Sequence, residues 1–208
     1  MKITKLETTL FEYKLDRSMG DANSPMGRKR ASGCILELTT DEGISGISIG
    51  GQNSLPQINS IFDGILLNND PKAIFSIWKR MVEKYFKGGH DGIANDAIAA
   101  IDVALWDLKA KINEEPLWKT LGGNNNKVNV YASDIALPIS DDELFNWYSK
   151  MSDKFGFKGG KLKVGLDQES DLKRLELMHK ALSKNCDDPI LYVDSNEYWS
   201  PKQTIRNI

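Results

Sequence analysis

Alternating polar and apolar residues in the first fifty positions predict strands that expose one face. Residues 2–13 alternate and are rich in Thr and Ile, so we expect a strand there. The stretches CILELTT and ISGISIG flank Asp41-Glu42-Gly43, which predicts a hairpin with a glycine in its turn. The polar segment 15–30 shows no such period and predicts a long loop, which is uncommon in a compact domain unless it has a function. A three-stranded antiparallel sheet is therefore expected first.

From residue 54 onward the apolar residues repeat every three or four positions, which is the spacing of amphipathic helices. The pattern predicts a helix near residues 58–65, a second one after Pro71 and a long third one over residues 93–112. A short helix in EEPLWKTLGG ends at Gly122-Gly123. The apolar residues whose spacing predicts the three longer helices include Ile58, Ile61, Ile65, Ile74, Ile77, Trp78, Met81, Ile93, Ala97, Ile101, Leu105 and Leu108. Strands followed by helices indicate an α+β domain.

After residue 126, short β-type stretches alternate with helical ones. VNVYAS, GKLKVG and ILYVDSN predict three strands, with helices over residues 140–154 and 170–184 between them. The first of these helices is predicted to begin in a capping box formed by Ser140 and Glu143. Each strand with its helix has the size expected for parallel strands joined by helical crossovers. The matching positions in the three strands are Tyr131, Lys161 and Tyr192.

These patterns predict two domains. Residues 1–125 form an α+β domain, and residues 126–208 form the first three βα units of a (β/α) barrel. An eight-unit barrel needs about 250 residues, so we expect a truncated chain with an open barrel. A finished three-stranded α/β layer is the alternative, but it would leave a parallel strand edge open, which proteins avoid.

The composition of the 208 residues narrows the classes of function. With 40% hydrophobic and 27% charged residues and a formal net charge of −2, the chain is typical of a globular protein. Lys and Arg form no basic block, so nothing indicates nucleic acid or an anionic membrane as a partner. The apolar runs are too short for a membrane span, and the N-terminus lacks the apolar core of a signal peptide. Because Cys34 and Cys186 have no metal or redox spacing, we expect a cytoplasmic protein.

Two lysines lie two positions apart in the stretch GGKLKVG. Because side chains at i and i+2 of a strand share a face, Lys161 and Lys163 point the same way, and Leu162 and Val164 point the other way. On an exposed strand the lysine face would simply be solvated, which is the commoner case among proteins in general. In a barrel strand, covered on both faces, the lysines would point inward near the C-terminal end, where barrel active sites lie. Mutual repulsion and desolvation would then favour a neutral lysine, which can act as a general base.

The next strand ends in Val193-Asp194-Ser195-Asn196, which places a carboxylate and an amide on one face of its C-terminal end. Oxygen donors there suit a hard divalent cation such as Mg2+. A simpler interpretation is that Asp194 or Asn196 only caps the following helix or closes the turn. The two lysines one strand earlier favour the metal interpretation, because a base beside a divalent cation suits abstraction of a proton alpha to a carboxylate.

Four stretches together resemble the enolase superfamily, in its mandelate racemase and muconate lactonizing enzyme branch. TTDEGISGISIGG is similar to the N-terminal hairpin of that family, and DAIAAIDVALWDLKAKINEEPLWKTLGG is similar to the long helix that leads into its barrel. GGKLKVG resembles the K-x-K motif of barrel strand two, and LYVDSNEYW resembles the D-x-N motif of strand three. The resemblance extends over the whole chain in the family's order and spacing. It implies a capping domain in residues 1–125, a modified TIM barrel over residues 126–208 and Mg2+ as cofactor.

The resemblance also implies roles for individual residues. Lys163 matches the acid/base lysine of the family, and Lys161 matches the partner that tunes it and binds the substrate carboxylate. Asp194 matches the first metal ligand, and Asn196 matches the polar residue that supports the site. The family's other acidic ligands and its second acid/base group come from later strands.

Two further segments, residues 15–30 and 50–53, match capping segments that close over the substrate and set specificity. In the first of them, the candidates for contacts with a polyhydroxy acid are Asp21, Asn23, Ser24 and Arg28. The two histidines, His90 and His179, lie on the N-terminal domain and on the second barrel helix, so we assign them structural or surface roles rather than the role of the later base.

The leading hypothesis is a Mg2+-dependent acid-sugar (aldonate or aldarate) dehydratase of sugar acid catabolism. This lyase would abstract the proton alpha to a carboxylate, pass through an enediolate and lose the beta-hydroxyl group. A racemase, epimerase or cycloisomerase of the same superfamily is the alternative among enzymes, and a non-catalytic truncated product is the alternative outside them. We expect a small hydroxy-carboxylate as the partner, no activity of this chain alone, and a homo-oligomer for the full-length protein.

Overall fold

The computed structural model describes residues 1–88, 91–134 and 137–207, and the prediction for His90 falls outside them. The chain divides into two compact units. The first unit comprises Met1–Tyr13 and Ser32–Lys127, and the second comprises Lys14–Ala31 and Val128–Ile208.

The N-terminal sheet has three strands in the order β1-β2-β3, namely β1 (Ile3–Met19), β2 (Arg28–Thr40) and β3 (Ser45–Gly50). β2 and β3 pair antiparallel, with Leu36 opposite Ser48. In the turn between them Gly43 has φ 80°, a left-handed conformation that favours glycine. The predicted hairpin is therefore confirmed.

The prediction of a long loop over residues 15–30 is wrong. β1 extends to Met19 and β2 begins at Arg28, so only residues 20–27 between the two strands are irregular. Burial alternates only at the start of the segment, where Leu15 and Arg17 are partly buried and Asp16 between them is exposed. Backbone hydrogen bonds between long paired strands do not require apolar side chains.

The described part of the first unit also contains the α-helices α1 (Leu55–Ile61), continued by a π-helical turn, α2 (Ile74–Tyr85), α3 (Gly92–Ile112) and α4 (Leu117–Thr120). α3 packs closely along β3, where Ser48 Oγ donates to the Ala100 carbonyl at 2.6 Å and a Cβ on Gly46 would collide with the Ala104 carbonyl. The predicted apolar faces of α2 and α3 are buried, except that Trp78 and Ile93 are exposed at their margins.

The second unit contains a parallel sheet in the order β4-β5-β6, with β4 (Ala132–Ser133), β5 (Gly159–Lys163) and β6 (Ile190–Asp194). α5 (Asp141–Phe155) and α6 (Gln168–Leu182) connect these strands, and α7 (Pro201–Asn207) follows them. α5 begins in the predicted capping box, in which Ser140 N donates to Glu143 Oε2 at 2.9 Å. The three predicted βα units are therefore present, although β4 is shorter than its sequence suggests.

The strand register places side chains of the parallel sheet at common levels. Ser133 lies opposite Lys161, and Lys161 lies opposite Tyr192. The sequence repeat matches Tyr131 with Lys161, which is wrong by two residues because the regular part of β4 is too short to fix the alignment. A shift by two residues keeps a side chain on the same face of the sheet, so the residues predicted to face inward are still correct.

The outward face of β5 is covered by α5 and α6, as predicted. Leu162 and Val164 are buried in a core with Tyr148 and Met178. On α6, Leu172 is exposed, and the positions of that turn that face the sheet are taken by the buried charged residues Asp171 and Arg174.

The sheet and its helices pack closely at Gly160, where a Cβ would lie 2.8 Å from Tyr148 Cε1 and 2.9 Å from Met178 Sδ. Gly160→Ala should therefore lower the free energy of unfolding by about 1–3 kcal/mol, measured by urea denaturation. Gly64→Ala is the control, because a Cβ there meets only the mobile end of Lys84, at 3.7 Å. Equal stability of the two variants would contradict the close packing of sheet and helices.

Candidate active site

Four side chains meet at the C-terminal ends of β5 and β6. Lys161 Nζ and Lys163 Nζ each donate a hydrogen bond to Asp194 Oδ2 at 2.8 Å. Lys163 Nζ also donates to Asn196 Oδ1 at 2.6 Å. The Lys163 side chain is 7% exposed and that of Lys161 is 22% exposed. The structure thus brings together the four residues that the sequence singled out on these two strands.

The strand register and a turn after β6 produce this arrangement. Lys163 lies opposite Asp194 in the β5–β6 ladder, so both side chains leave the sheet on its inward face. Asn196 has φ 53°, and its N–H donates to Asp194 Oδ1 at 2.8 Å. Asp194 therefore also closes the turn, which was the simpler interpretation of this residue, and the turn directs the Asn196 amide back towards Lys163.

The carboxylate between the lysines alters the electrostatics expected from the sequence. Partial burial acts to raise the pKa of Asp194, but hydrogen bonds from Lys161, Lys163 and the Asn196 N–H outweigh it and hold that pKa well below its ordinary value. The two ammonium groups are therefore bridged by an anion rather than left to repel each other. With two positive charges and one negative charge, the cluster is a net cation.

Asp194→Asn should lower the free energy of unfolding at neutral pH by about 1–2 kcal/mol, because the two ammonium groups lose their shared anion. The pKa of Asp194 is lower in the folded state than its unfolded value of about 3.9. Its contribution is therefore present above that pH and is lost as the pH falls towards the folded-state pKa. Urea denaturation over a pH series should show a difference between wild type and variant that is steady above about pH 5 and shrinks below about pH 4.

Glu7→Gln is the matched control for this series, since Glu7 forms an exposed ion pair with Lys5 at 2.9 Å and should contribute little. A difference between wild type and the Asp194→Asn variant that grows on acidification would contradict the assigned bridging role.

Two residues outside the predicted set fix the backbone immediately after Lys163. Gly165 N donates to Asp171 Oδ2 at 2.8 Å, and Trp199 Nε1 donates to the Gly165 carbonyl at 3.1 Å. Burial raises the pKa of Asp171, although the Gly165 N–H opposes the shift. Gly165 itself has φ 137°, and a Cβ there would lie 2.9 Å from Ala22 Cβ. In the sequence, the role of Asp171 is indicated only by its being a charged residue at a position of α6 that faces the sheet.

A second buried polar group that the sequence analysis missed lies beyond the end of β4. Asp134 is buried and forms an ion pair with Arg17. Arg174 on α6 is also buried, and its guanidinium donates to the carbonyls of Leu137 and Ile139 at 3.2 and 3.4 Å. These contacts fix the carboxylate of Asp134 and the carbonyls of Leu137 and Ile139. Periodicity in the sequence does not identify the partner of a single Asp or Arg. Neither the Asp134–Arg17 ion pair nor the hydrogen bonds of Arg174 could therefore be predicted from it.

The predicted substrate-binding residues between β1 and β2 have different surroundings. Asp21 Oδ1 accepts hydrogen bonds from the N–H groups of Asn23 and Ser24 at 2.9 and 3.1 Å, so it stabilises its own turn. Asn23 Nδ2 donates to Glu197 Oε2 at 3.2 Å, which connects this turn to the segment after β6. Arg28 is exposed at the start of β2. Asn23 is thus the candidate that the structure links to the end of a barrel strand.

The remaining predicted positions are less informative. The segment 50–53 leads into a short helical turn, Gln52–Ser54, where Gly51 N donates to Asp96 Oδ2 at 3.0 Å. His179 lies exposed near the end of α6, as expected for a surface residue.

An α+β domain, parallel βα units, and two lysines with a carboxylate and an amide at the strand ends are the features for which the sequence resembles the enolase superfamily. A family model described as the N-terminal domain of mandelate racemase / muconate lactonizing enzyme matches residues 16–122. The chain belongs to the mandelate racemase and muconate lactonizing enzyme family of the enolase superfamily.

Three curated relatives catalyse different reactions. The chain is 34% identical to the 3,6-anhydro-alpha-L-galactonate cycloisomerase of Streptomyces coelicolor, over 77% of this chain and 44% of that protein. It is 31% identical to the L-talarate/galactarate dehydratase of Salmonella typhimurium, over 99% and 53%. It is 29% identical to the hydrophobic dipeptide epimerase of Enterococcus faecalis, over 100% and 57%. The chain therefore spans about half the length of these relatives, and their names do not select one reaction.

Two solved structures share the fold. A racemase from Streptomyces coelicolor with bound magnesium gives a TM-score of 0.88 at 29% identity, covering 99% of this chain and 58% of that one. The Salmonella typhimurium dehydratase, liganded with Mg and L-lyxarohydroxamate, gives 0.83 at 30% identity, covering 99% and 54%. Both matches extend over both units of the present chain.

The described part of the chain lacks a ready-made metal cluster and a membrane-spanning helix. No cluster of three or more His, Cys, Asp or Glu side chains suited to a metal ion occurs there. None of its helices combines the length and the apolar character needed to cross a membrane.

Proposed function

We propose that the protein containing this chain uses Mg2+ and a lysine base to abstract the proton alpha to the carboxylate of a sugar acid, and that the reaction is a dehydration. The observation that carries the proposal is the bridge from Lys161 and Lys163 to Asp194 at the C-terminal ends of two parallel strands. Active sites of (β/α) barrels lie at this end. In this proposal residues 1–125 are the capping domain and residues 126–208 begin the barrel.

Lys163 is the proposed acid/base residue. It is the more buried of the two lysines, and two acceptors, Asp194 and Asn196, fix its Nζ in position. After losing a proton, Nζ can accept one from a substrate carbon placed within reach on the inward face. Lys161 is more exposed and keeps donor capacity for a substrate carboxylate.

The chemistry of the donors agrees with Mg2+ at Asp194. A carboxylate oxygen is the ligand type that Mg2+ takes, and Asp194 is the residue that would hold the ion, with Asn196 supporting the turn. When bound, Mg2+ supplies stabilisation of the negative charge that develops on a substrate carboxylate. The homo-oligomer and the cytoplasmic location expected from the sequence are further parts of this proposal.

This chain alone should bind Mg2+ only weakly and show no turnover. The described residues form no group of three possible metal ligands, and both lysines already hold the Oδ2 atom of Asp194. Mg2+ sites in proteins usually combine one or two carboxylates with substrate oxygens and waters. Isothermal titration calorimetry measures the affinity, and a micromolar dissociation constant or dehydration by the purified chain would contradict the expectation.

In the gene product that contains this chain, Lys163→Ala should slow exchange of the alpha proton with solvent by about 10²- to 10⁴-fold on the face that Lys163 serves. Proton NMR of the substrate in D2O measures the exchange. Lys173→Ala is the control, because Lys173 is an exposed lysine on α6 paired with Asp141. Exchange that persists in the Lys163→Ala variant would remove Lys163 from the proposed role.

The reaction type is tested by a screen of that gene product against aldonic and aldaric acids, with product masses recorded. Dehydration lowers the mass by one water. Cycloisomerisation of a sugar acid, which is the second candidate because of the 34% identity to a cycloisomerase, leaves the mass unchanged. Turnover of only aromatic or dipeptide substrates would contradict the sugar-acid assignment, and no turnover at all would favour the non-catalytic alternative.

A further inference from the structure

The helix α2 carries more apolar surface than the first unit buries. Ile74, Ile77 and Met81 form its buried stripe. A second stripe beside it begins with Phe75 and Trp78, which are 78% and 42% exposed and whose rings stack with centroids 6.1 Å apart. Clustered aromatic side chains on the surface of a globular protein mark a contact with another molecule, so the second stripe indicates an interaction surface.

A hollow of about 470 Å3 lies beside this stripe, between the start of α2 and the middle of α3. Phe75 lies at the hollow, and the indole rings of Trp78 and Trp106 line it. The charged side chains of Asp102 and Lys109 line it as well. The same face therefore offers a projecting phenyl ring and a cavity with aromatic walls.

Two opposite charges in the hollow have no ionic partner within the described part of the chain. None of the ion pairs there includes Asp102 or Lys109. Burial raises the pKa of Asp102, although a hydrogen bond from Trp106 opposes the shift. Lys109 Nζ lies 4.9 Å from the centroid of the Trp106 ring. A cation supplied by another molecule would stabilise the charged form of Asp102, and an anion would pair with Lys109.

The order of these residues along α3 is self-complementary. Asp102, Trp106 and Lys109 share one face of the helix, because they are spaced by four and three residues. Asp102 lies three residues before Leu105, and Lys109 lies three residues after Trp106. A two-fold axis that crosses α3 between Leu105 and Trp106 makes two copies of the helix antiparallel, so that Asp102 of each copy faces Lys109 of the other.

We propose that this α2–α3 face, which consists of Phe75, Trp78, Asp102, Trp106 and Lys109, binds the same face of a second copy of the chain about that two-fold axis. Phe75 of each copy enters the hollow of the other, and each Asp102 pairs with Lys109 of the other copy. The proposal assigns a surface to the homo-oligomer of the proposed function and rests on that part of it, but it depends on neither the lysine cluster nor the reaction.

Other occupants satisfy only part of this face. An uncharged apolar ligand leaves Asp102 without a cation, and a small anion is repelled by the Asp102 carboxylate. Two copies packed with their α3 helices parallel would bring like charges together. The antiparallel second copy supplies the ring, the cavity, the cation and the anion at once.

The test is analytical ultracentrifugation of this chain at up to about 100 µM, at which a contact of micromolar affinity is saturated. We expect an equilibrium between monomer and dimer. Phe75→Asp should weaken the dimer at least about tenfold while the circular dichroism spectrum is retained, because it replaces a ring at the centre of the contact by a carboxylate. Ile93→Asp is the matched control, since Ile93 is 48% exposed at the start of α3 and lies nine residues before Asp102. It should dimerise as wild type does.

An exchange of charges tests the assigned pairing. Asp102→Lys and Lys109→Asp should each weaken the dimer at least about tenfold, because each variant places two pairs of like charges across the axis. A 1:1 mixture of the two variants should dimerise as wild type does, since each contact in the mixed dimer again joins a lysine with an aspartate. An unfolded variant would not regain affinity in this way.

A chain that stays monomeric at about 100 µM would overturn the proposal. Dimerisation that survives Phe75→Asp would overturn it as well, since the contact would then lie on another face. A mixture of the two charge variants that binds no more tightly than either variant alone would also overturn it. The assay contains no substrate, so these outcomes leave the proposed reaction untouched, and a failure of the sugar-acid screen leaves the α2–α3 face untouched.

Discussion

The second unit depends on one carboxylate that is shared by two ammonium groups. Lys161 and Lys163 lie on the same face of one short strand, and without an anion their charges would repel each other in a partly buried position. Asp194 supplies that anion from the neighbouring strand. The contact requires the observed β5–β6 register, because a slip of one residue would turn Asp194 to the opposite face. The same interaction therefore positions the two lysines and depends on which residues of β5 and β6 lie opposite each other.

The inward cluster is also fixed from the helix side of the sheet. Tyr148 on α5 donates its hydroxyl to the Lys161 carbonyl at 2.6 Å, and Asp171 on α6 accepts from Gly165 N. Burial raises the pKa of Tyr148, so its hydroxyl stays protonated and available as a donor. Gly160 lets both helices approach the strand. Polar side chains of the outer layer thus determine where the backbone of the lysine strand lies.

The sequence predicted those features that follow from local period. Alternation in GKLKVG identified the shared face of the two lysines, and the capping residues of α5 were identified from their spacing. Features that depend on register were not predictable. The bridge through Asp194 requires knowledge of which residues lie opposite one another, and the alignment of β4 was wrong by two residues for the same reason. The ladder of β1 and β2 was missed because pairing, rather than side-chain polarity, extends those strands.

The inward face of the second unit has an apolar part and a charged part. Near the N-terminal ends of the strands it presents aromatic and aliphatic side chains to solvent, and at the C-terminal ends it presents a net positive charge with a single carboxylate. The parallel pairing of β5 and β6 places Ile190 opposite Gly159 at one end of the ladder and Asp194 opposite Lys163 at the other. The direction of the strands therefore separates the apolar end of this face from the charged end, and it puts the lysine cluster at the end where barrel active sites lie.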